Sequence, residues 1–357
     1  MKQERLNRVI ANMGEENLRQ IIISDPDSIY YLTGIGYDPG ERLLALYIND
    51  DGQAHLFNNH MFPQQPQDGL EIHFYDDVDD VMGMVASVVR SGVLGVDKFL
   101  RAKFMLPLLD RCPGLELRLG SEPVDRARTY KDAEEIALMR QASALNDATM
   151  EEVIQHLGDG LSERQMVGLV GDAHLNRGAD VAYEHIICYG ESCSQPHHTS
   201  GPQKIQAGEG AIFDIFAPVK HYWCDMTRTV FFRSVSDEQR QVYDVVRAAN
   251  EAGIAAIQVG RPLCEVDAAA RKVIADAGYG DCFTHRTGHG IGLALHELPD
   301  CSSTSQVLIA PGMCFSVEPG IYLPGKWGVR IEDLVVVTET GVEVLNHFTK
   351  DLLVVDK

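Results

Sequence analysis

Four carboxylates in this sequence sit where a carboxylate is costly. The run AIFDIF at 211–216 is apolar and strand-like, yet it carries Asp214 in its middle. CDMTRTVFF at 224–232 carries Asp225 in the same way, eleven residues later. The pattern recurs in FSVEPGIY at 315–322, with Glu318, and in VRIEDLVVV at 329–337, with Glu332. Burying an unpaired carboxylate costs several kcal/mol even after relaxation. Two close together also repel, so they need a proton, an arginine or a metal. The spacing of the aspartates is compatible with facing positions on a hairpin. One reading leaves all four at strand ends in water, or paired with Arg228 and Arg330. The other makes them ligands of a cation, and the recurrence of the pattern in one domain favours it.

Histidines accompany them. HRTGHGIGLALHE at 285–297 places His285, His289 and His296 in a glycine-rich segment. This is not the H-E-x-x-H zinc motif, because the spacing differs. Pro196-His197-His198 adds two more imidazoles, one of them expected only at the surface. Four carboxylates and one imidazole form a hard-to-borderline donor set. It suits manganese, iron, cobalt or zinc better than copper(I) or a cluster. Such a set can hold two metals through bridging oxygens, and paired ions about 3.5–4 Å apart share and activate a hydroxide.

Positioning these residues requires a scaffold, and the rest of the chain reads as one. Leu6, Val9, Ile10 and Met13 share one face of a helix over 1–19. Ile21-Ile22-Ile23 reads as a short strand broken by Asp25-Pro26-Asp27. Leu43 to Ile48 and His55 to Phe57 read as a hairpin around Asn49-Asp50-Asp51-Gly52. A helix around 77–90 and a strand at 93–96 follow, so the first domain is expected to be α/β. The boundary is placed in the charged segment 121–133, giving domains 1–124 and 125–357. Asp132 with Glu135 three residues on forms a capping-box signal. Ile136, Met139, Ala142 and Leu145 then continue at helical spacing. Beyond 160, helical stretches at 162–175, 236–258 and 264–277 alternate with strands that carry acidic residues in their middles.

Composition limits the function classes. A length of 357 residues suggests two domains and cores that need no disulfides. Hydrophobic residues at 45% and charged residues at 23% exclude a disordered, collagenous or coiled-coil chain. A formal charge of -21 repels phosphate backbones, so nucleic acid is not an expected partner. The eight cysteines form no C-x-x-C pair and read as reduced thiols of a cytoplasmic protein. The polar N-terminus lacks the apolar core of a signal peptide, and no run approaches the roughly 18 apolar residues of a membrane span.

The motifs together resemble the pita-bread metallopeptidases, in the branch of Xaa-Pro dipeptidases (prolidases) and Xaa-Pro aminopeptidases. The resemblance rests on Asp225-Met226-Thr227-Arg228-Thr229, Gly288-His289-Gly290-Ile291-Gly292, Val317-Glu318-Pro319-Gly320 and Val329-Arg330-Ile331-Glu332-Asp333. YYLTG at 30–34 looks like a motif of the N-terminal domain of this branch. The fold implied is a creatinase-like α/β N-terminal domain followed by an α+β pita-bread catalytic domain.

The resemblance also implies roles. Asp214 would chelate one metal, and His289 and Glu318 the other, with Asp225 and Glu332 bridging both. Two divalent ions per subunit are implied, manganese first, with cobalt, zinc or iron as alternatives. A shared hydroxide would attack the scissile carbonyl, with Glu318 as base and acid. His296 and His197 would be catalytic and would contact substrate; His285 would line the pocket, and Arg330 would support Glu332 and the substrate side. The substrate would be an Xaa-Pro dipeptide or the N-terminus of a longer Xaa-Pro peptide, and the assembly a homodimer.

Two positions depart from the family. No glycine follows two residues after Asp214. Asp300, in Leu298-Pro299-Asp300, stands near where prolidases often place an arginine for the dipeptide's carboxylate, which weighs against strict dipeptide specificity. Arg42 is either a substitute clamp reaching a partner's site or a solvated side chain. The alternatives to a peptidase are a non-peptidase hydrolase or lyase on the same fold, and a non-catalytic binding module.

Overall fold

Leu6, Val9 and Met13 recur at helical spacing and are buried along α1 (Gln3–Glu15), as the sequence pattern requires. The computed structural model describes residues Met1–Lys357, which divide into two compact units, Met1–Arg128 and Thr129–Lys357. In the first, β1 (Gln20–Ile23) leads directly into α2 (Pro26–Thr33). Asp25 ends the strand and also caps the helix, accepting from the Asp27 and Ser28 amides, with Pro26 in the first turn. Asp25-Pro26 therefore starts an element as well as breaking one. The Tyr30–Gly34 motif is the closing turn of α2, with Gly34 left-handed at φ 74°.

β2 (Ala45–Asn49) and β3 (Ala54–Asn59) form the expected antiparallel hairpin. β4 (Glu71–Tyr75), α3 (Val81–Val88), β5 (Val93–Val96), α4 (Ala102–Arg111), β6 (Glu116–Leu119) and α5 (Glu122–Thr129) follow. The six strands make one mixed sheet in the order β4-β3-β2-β1-β5-β6. Tyr47, Phe57, Val85, Leu94 and Leu108 fill the core between this sheet and helices α3 and α4.

The second unit opens on α6 (Ala133–Val153), where Asp132 and Glu135 form the reciprocal capping box. α7 (Glu163–Arg177), β7 (Ile186–Tyr189), β8 (Gly210–Val219) and β9 (Tyr222–Phe232) come next. Then follow α8 (Asp237–Ala255), α9 (Cys264–Asp276), β10 (Gly288–Gly290), β11 (Glu297–Cys301) and β12 (Cys314–Val317). β13 (Gly320–Leu323), β14 (Trp327–Arg330), β15 (Asp333–Thr338), β16 (Gly341–Val344) and β17 (Val354–Val355) complete the chain.

Three sheets result: β17-β9-β8-β7, β11-β10-β12-β15-β16, and the hairpin β13-β14. Met150, Met166, Ile187, Phe213 and Met226 pack α6 and α7 against the first of these. The Glu332 amide donates to the Thr227 carbonyl at 3.1 Å, and the Trp223 amide to the Gly292 carbonyl at 2.8 Å. These bonds stitch the four- and five-stranded sheets together. All eight cysteines are free thiols, and no helix is long and apolar enough to cross a membrane.

Candidate metal centre and active site

β8 and β9 pair so that Asp214 lies opposite Thr227, and Phe216 opposite Asp225. The two aspartates are thus diagonal neighbours on one face, two residues from direct opposition. Period-two alternation puts Thr227 beside them on that face. The glutamates arrive differently. Val317 pairs with Asp333, and Glu318 and Glu332 stand just outside that pair, beyond the end of β12 and before the start of β15. They therefore occupy strand junctions, where the sequence pattern places them in strand middles. Their side chains still meet the aspartates, because the stitching bond from the Glu332 amide to Thr227 brings the two sheets edge to edge.

His289 is the centre of β10, which is hydrogen-bonded to β11 on one side and β12 on the other. The flanking glycines are what allow this. A Cβ on Gly288 would stand 1.8 Å from the Ser316 carbonyl oxygen, and one on Gly290 would stand 2.2 Å from that of Leu298. His289 Nδ1 donates to the Gly290 carbonyl at 3.1 Å, which leaves the Nε2 lone pair facing Glu318 Oε1 at 3.5 Å and Asp225 Oδ2 at 3.8 Å.

Ligand atoms of Asp225, His289 and Glu332 all fall within 4.8 Å of one another. Asp225 Oδ1 and Glu332 Oε1 are buried and have no hydrogen-bond partner. Burial pushes both carboxyls well above the ordinary range, and the neighbouring carboxylates push them further. Burial raises Glu318 to about 7, against the opposing pull of Arg330. His289 is held neutral, down to about 3, by burial and then by His296. A neutral imidazole with a free nitrogen, facing crowded carboxylates with unpartnered oxygens, is a donor set that fits divalent cations.

Other side chains fix these donors. Thr227 Oγ1 donates to Glu332 Oε2 at 2.8 Å, and Ser316 Oγ to Glu318 Oε1 at 3.1 Å. Arg330 grips Asp214 at 2.6 Å, and its Nε donates to Thr227 Oγ1. Its direct carboxylate partner is therefore Asp214, and it reaches Glu332 only through Thr227. Arg228 pairs with Asp333 at 2.7 Å and donates to the Glu332 carbonyl at 2.6 Å, so it is not a partner of Asp214 or Asp225.

A cavity of about 260 Å³ opens onto these groups. Asp214, Asp225, His289, Glu318 and Glu332 line it, as do His197, His285, His296 and Arg330. The histidines differ in availability. His285 Nδ1 donates to the Arg286 carbonyl at 2.7 Å and its Nε2 accepts from Tyr322 Oη at 2.8 Å, so neither ring nitrogen is free. His296 and His197 are exposed at the cavity. The His296 ring stands 4.2 Å from that of His289, edge-on, and partial desolvation of the ring in the cavity, with nearby Arg286, holds it below the ordinary histidine value. His198 turns away to Glu163 at 3.0 Å and is the structural member of its pair.

Several contributors are absent from the sequence reading. Thr227 and Ser316 each stand two residues from a ligand, so strand alternation could have found them. Tyr322 and Arg286 carry no such signal. Arg286 lines the cavity and is ion-paired with Asp300, the very residue that stands where an arginine was sought. Arg42 is held bidentately by Asp77, with both nitrogens at 2.7 Å, so it is neither free nor simply solvated.

Comparison with known proteins identifies the family. Residues 137–339 match the model of metallopeptidase family M24, and residues 5–130 that of the creatinase/prolidase N-terminal domain. A peptidase of Staphylococcus aureus (strain MSSA476) is 33% identical over 354 residues, covering 97% of this chain and 99% of its own. The crystal structure of a dipeptidase from Pyrococcus horikoshii OT3 superposes with a TM-score of 0.93 at 31% identity, covering 98% of this chain and 99% of that one. A recombinant prolidase from Thermococcus sibiricus gives a TM-score of 0.93 at 30% identity, over 99% of each chain. The chain belongs to metallopeptidase family M24, and it carries the creatinase/prolidase N-terminal domain ahead of its catalytic domain.

Proposed function

We propose that the protein is an Xaa-Pro exopeptidase whose preferred substrate is a dipeptide, with the chemistry carried by the domain from residue 125 onward. The observation that carries this reading is the cavity, lined together by five candidate metal ligands, by the apolar side chains of Ile186, Phe216 and Leu295, and by the guanidinium of Arg286.

Asp214, Asp225, His289, Glu318 and Glu332 would hold two divalent ions. Bound there, the ions supply Lewis acidity and lower the pKa of a water molecule. Glu318 lines the cavity, where it would accept a proton from the attacking water and return it to the leaving amine. His296 and His197, exposed at the cavity, are placed to donate to charge developing on the substrate carbonyl oxygen. His285 has both nitrogens engaged, so it shapes the pocket through Tyr322 and makes no hydrogen bond to substrate. Arg330 orients Asp214 and Thr227.

Proline in the second position makes the scissile bond a tertiary amide with no N–H. A site with apolar side chains and no acceptor required for that N–H accepts it. Arg286 offers the dipeptide's free carboxylate a cation, with Asp300 fixing its direction. The carboxylate-rich set favours manganese, with cobalt, zinc or iron as substitutes. A cytoplasmic homodimer is proposed from the eight free thiols and from the resemblance.

The test is one digest read by mass spectrometry. Manganese-loaded protein meets an Xaa-Pro dipeptide and an Xaa-Pro-Xaa peptide together, and cleavage of the dipeptide is expected to dominate. Removal of the first residue from the longer peptide alone would make the protein an aminopeptidase. Failure to cut either with any of the four metals would end the Xaa-Pro reading.

A further inference from the structure

We propose that His55, Glu71 and His73 form a separate binding site for a borderline divalent transition ion, zinc being the best match, on the edge of the N-terminal sheet. The register places them together. β3 and β4 run parallel with His55 opposite Glu71 and Phe57 opposite His73, so side-chain alternation puts all four on one face.

One donor atom from each residue lies within 4.8 Å of the other two. His55 Nδ1 and His73 Nε2 are 3.0 Å apart. Glu71 Oε2 lies 3.4 Å from the first nitrogen, and Glu71 Oε1 lies 3.5 Å from the second. Ligands about 2.0–2.1 Å from a tetrahedral zinc stand about 3.3–3.4 Å from one another. Each nitrogen already has one Glu71 oxygen near that spacing, and a turn of the exposed carboxylate would bring a single oxygen to the third corner of that tetrahedron.

The imidazoles are held in place. His73 stacks on Phe57 with centroids 4.9 Å apart and planes within 14°, and His55 lies 5.9 Å from the Tyr47 ring. Exposure is graded: 15% for His55, 23% for His73 and 65% for Glu71. The nitrogens are shielded while the carboxylate faces water, which provides an entry path and a fourth position for solvent. Two imidazoles and one carboxylate select zinc, nickel or cobalt over magnesium and calcium, which prefer all-oxygen sets. The proton shared between the two facing nitrogens is what the ion would displace. Bound there, the ion would tie edge strand β4 to β3.

The experiment counts zinc on the tag-free full chain after dialysis. Wild type is expected to hold one equivalent per chain more than either His55→Ala or His73→Ala, both retaining the wild-type circular dichroism spectrum. Equal counts in all three proteins would overturn the proposal. Should either variant fail to fold, wild-type crystals with zinc provide the second readout. Anomalous scattering at the zinc edge is expected to peak about 2 Å from His55 Nδ1 and His73 Nε2, and no peak there would overturn it equally.

Discussion

Two clusters of side chains that could hold a metal ion, one in each unit, solve the same problem in opposite ways. Around His289, three acidic ligands are buried, and two of their oxygens have no partner at all. Around His55, the carboxylate faces solvent and the two imidazoles satisfy each other. The first cluster is electrostatically unfinished without a cation, whereas the second is stable either way. The investment in support differs accordingly. Thr227, Ser316, Arg330 and Arg228 are committed to the buried cluster, and two sheets meet to form it. The solvent-facing triad comes from two neighbouring strands and two stacked rings. Buried like charges require an external counter-charge and an organised frame, and that combination is what makes a cluster catalytic rather than merely ligating.

The largest effect should come from testing that difference directly. Asp225→Asn keeps the shape and removes a charge that the cation needs. Losing several kcal/mol of transition-state stabilisation corresponds to a fall in kcat of at least about 10³-fold. Glu71→Gln makes the same chemical change in the other cluster, which contributes nothing to the catalytic cavity, and kcat is expected to stay within about twofold. Steady-state kinetics on both variants decides the matter. Retained activity in Asp225→Asn with metal still bound would break the comparison.

A second test concerns the frame. Arg228 is fully buried and donates to Asp333 and to the carbonyls of Thr227, Glu332, Phe348 and Thr349. Arg228→Ala leaves Asp333 with Lys350 alone and takes one donor from each of four carbonyls, of which Thr227 keeps the Glu332 amide. The expected loss is about 3–5 kcal/mol of stability, read by denaturant unfolding. A loss under about 1 kcal/mol would show that the frame around Glu332 does not depend on this side chain.

The sequence carries the candidate ligands more clearly than their geometry. Carboxylates in apolar runs and glycines around His289 were anomalies that only a buried site resolves, and they converge on one cavity. What could not be read was partner choice. One reading of the sequence offers Arg228 and Arg330 as partners of the acids nearest to them in the chain. The structure exchanges them, giving Asp214 to Arg330, 116 residues away, and Asp333 to Arg228, 105 residues away. Pairings at that range depend on how two sheets meet, which local periodicity does not encode. The glutamates were misplaced for a related reason: a strand and its junction look alike in a short apolar run. The pairing of Arg286 with Asp300 was invisible because it joins the approach to β10 to β11 across an antiparallel register.

The subtlest expected effect follows from the sign of the carboxyl shifts. Asp225, Glu318 and Glu332 all bind protons more tightly in the folded chain than in the unfolded one, Glu318 up to about 7. Metal-free protein therefore has that contribution in full below the unfolded carboxyl value of about 4.3. It loses stability as pH rises from there through the raised folded values. A bound cation takes the place of those protons, so metal-loaded protein is spared the loss. The gap in stability between loaded and metal-free protein should widen from pH 5 to pH 7.5, by up to about 1.4 kcal/mol per pH unit for each proton displaced. Thermal unfolding of both forms across that range measures it. A gap independent of pH would mean that these three carboxyls hold no extra protons in the metal-free state, and that the contrast between an unfinished cluster and a self-satisfied one has been drawn in the wrong place.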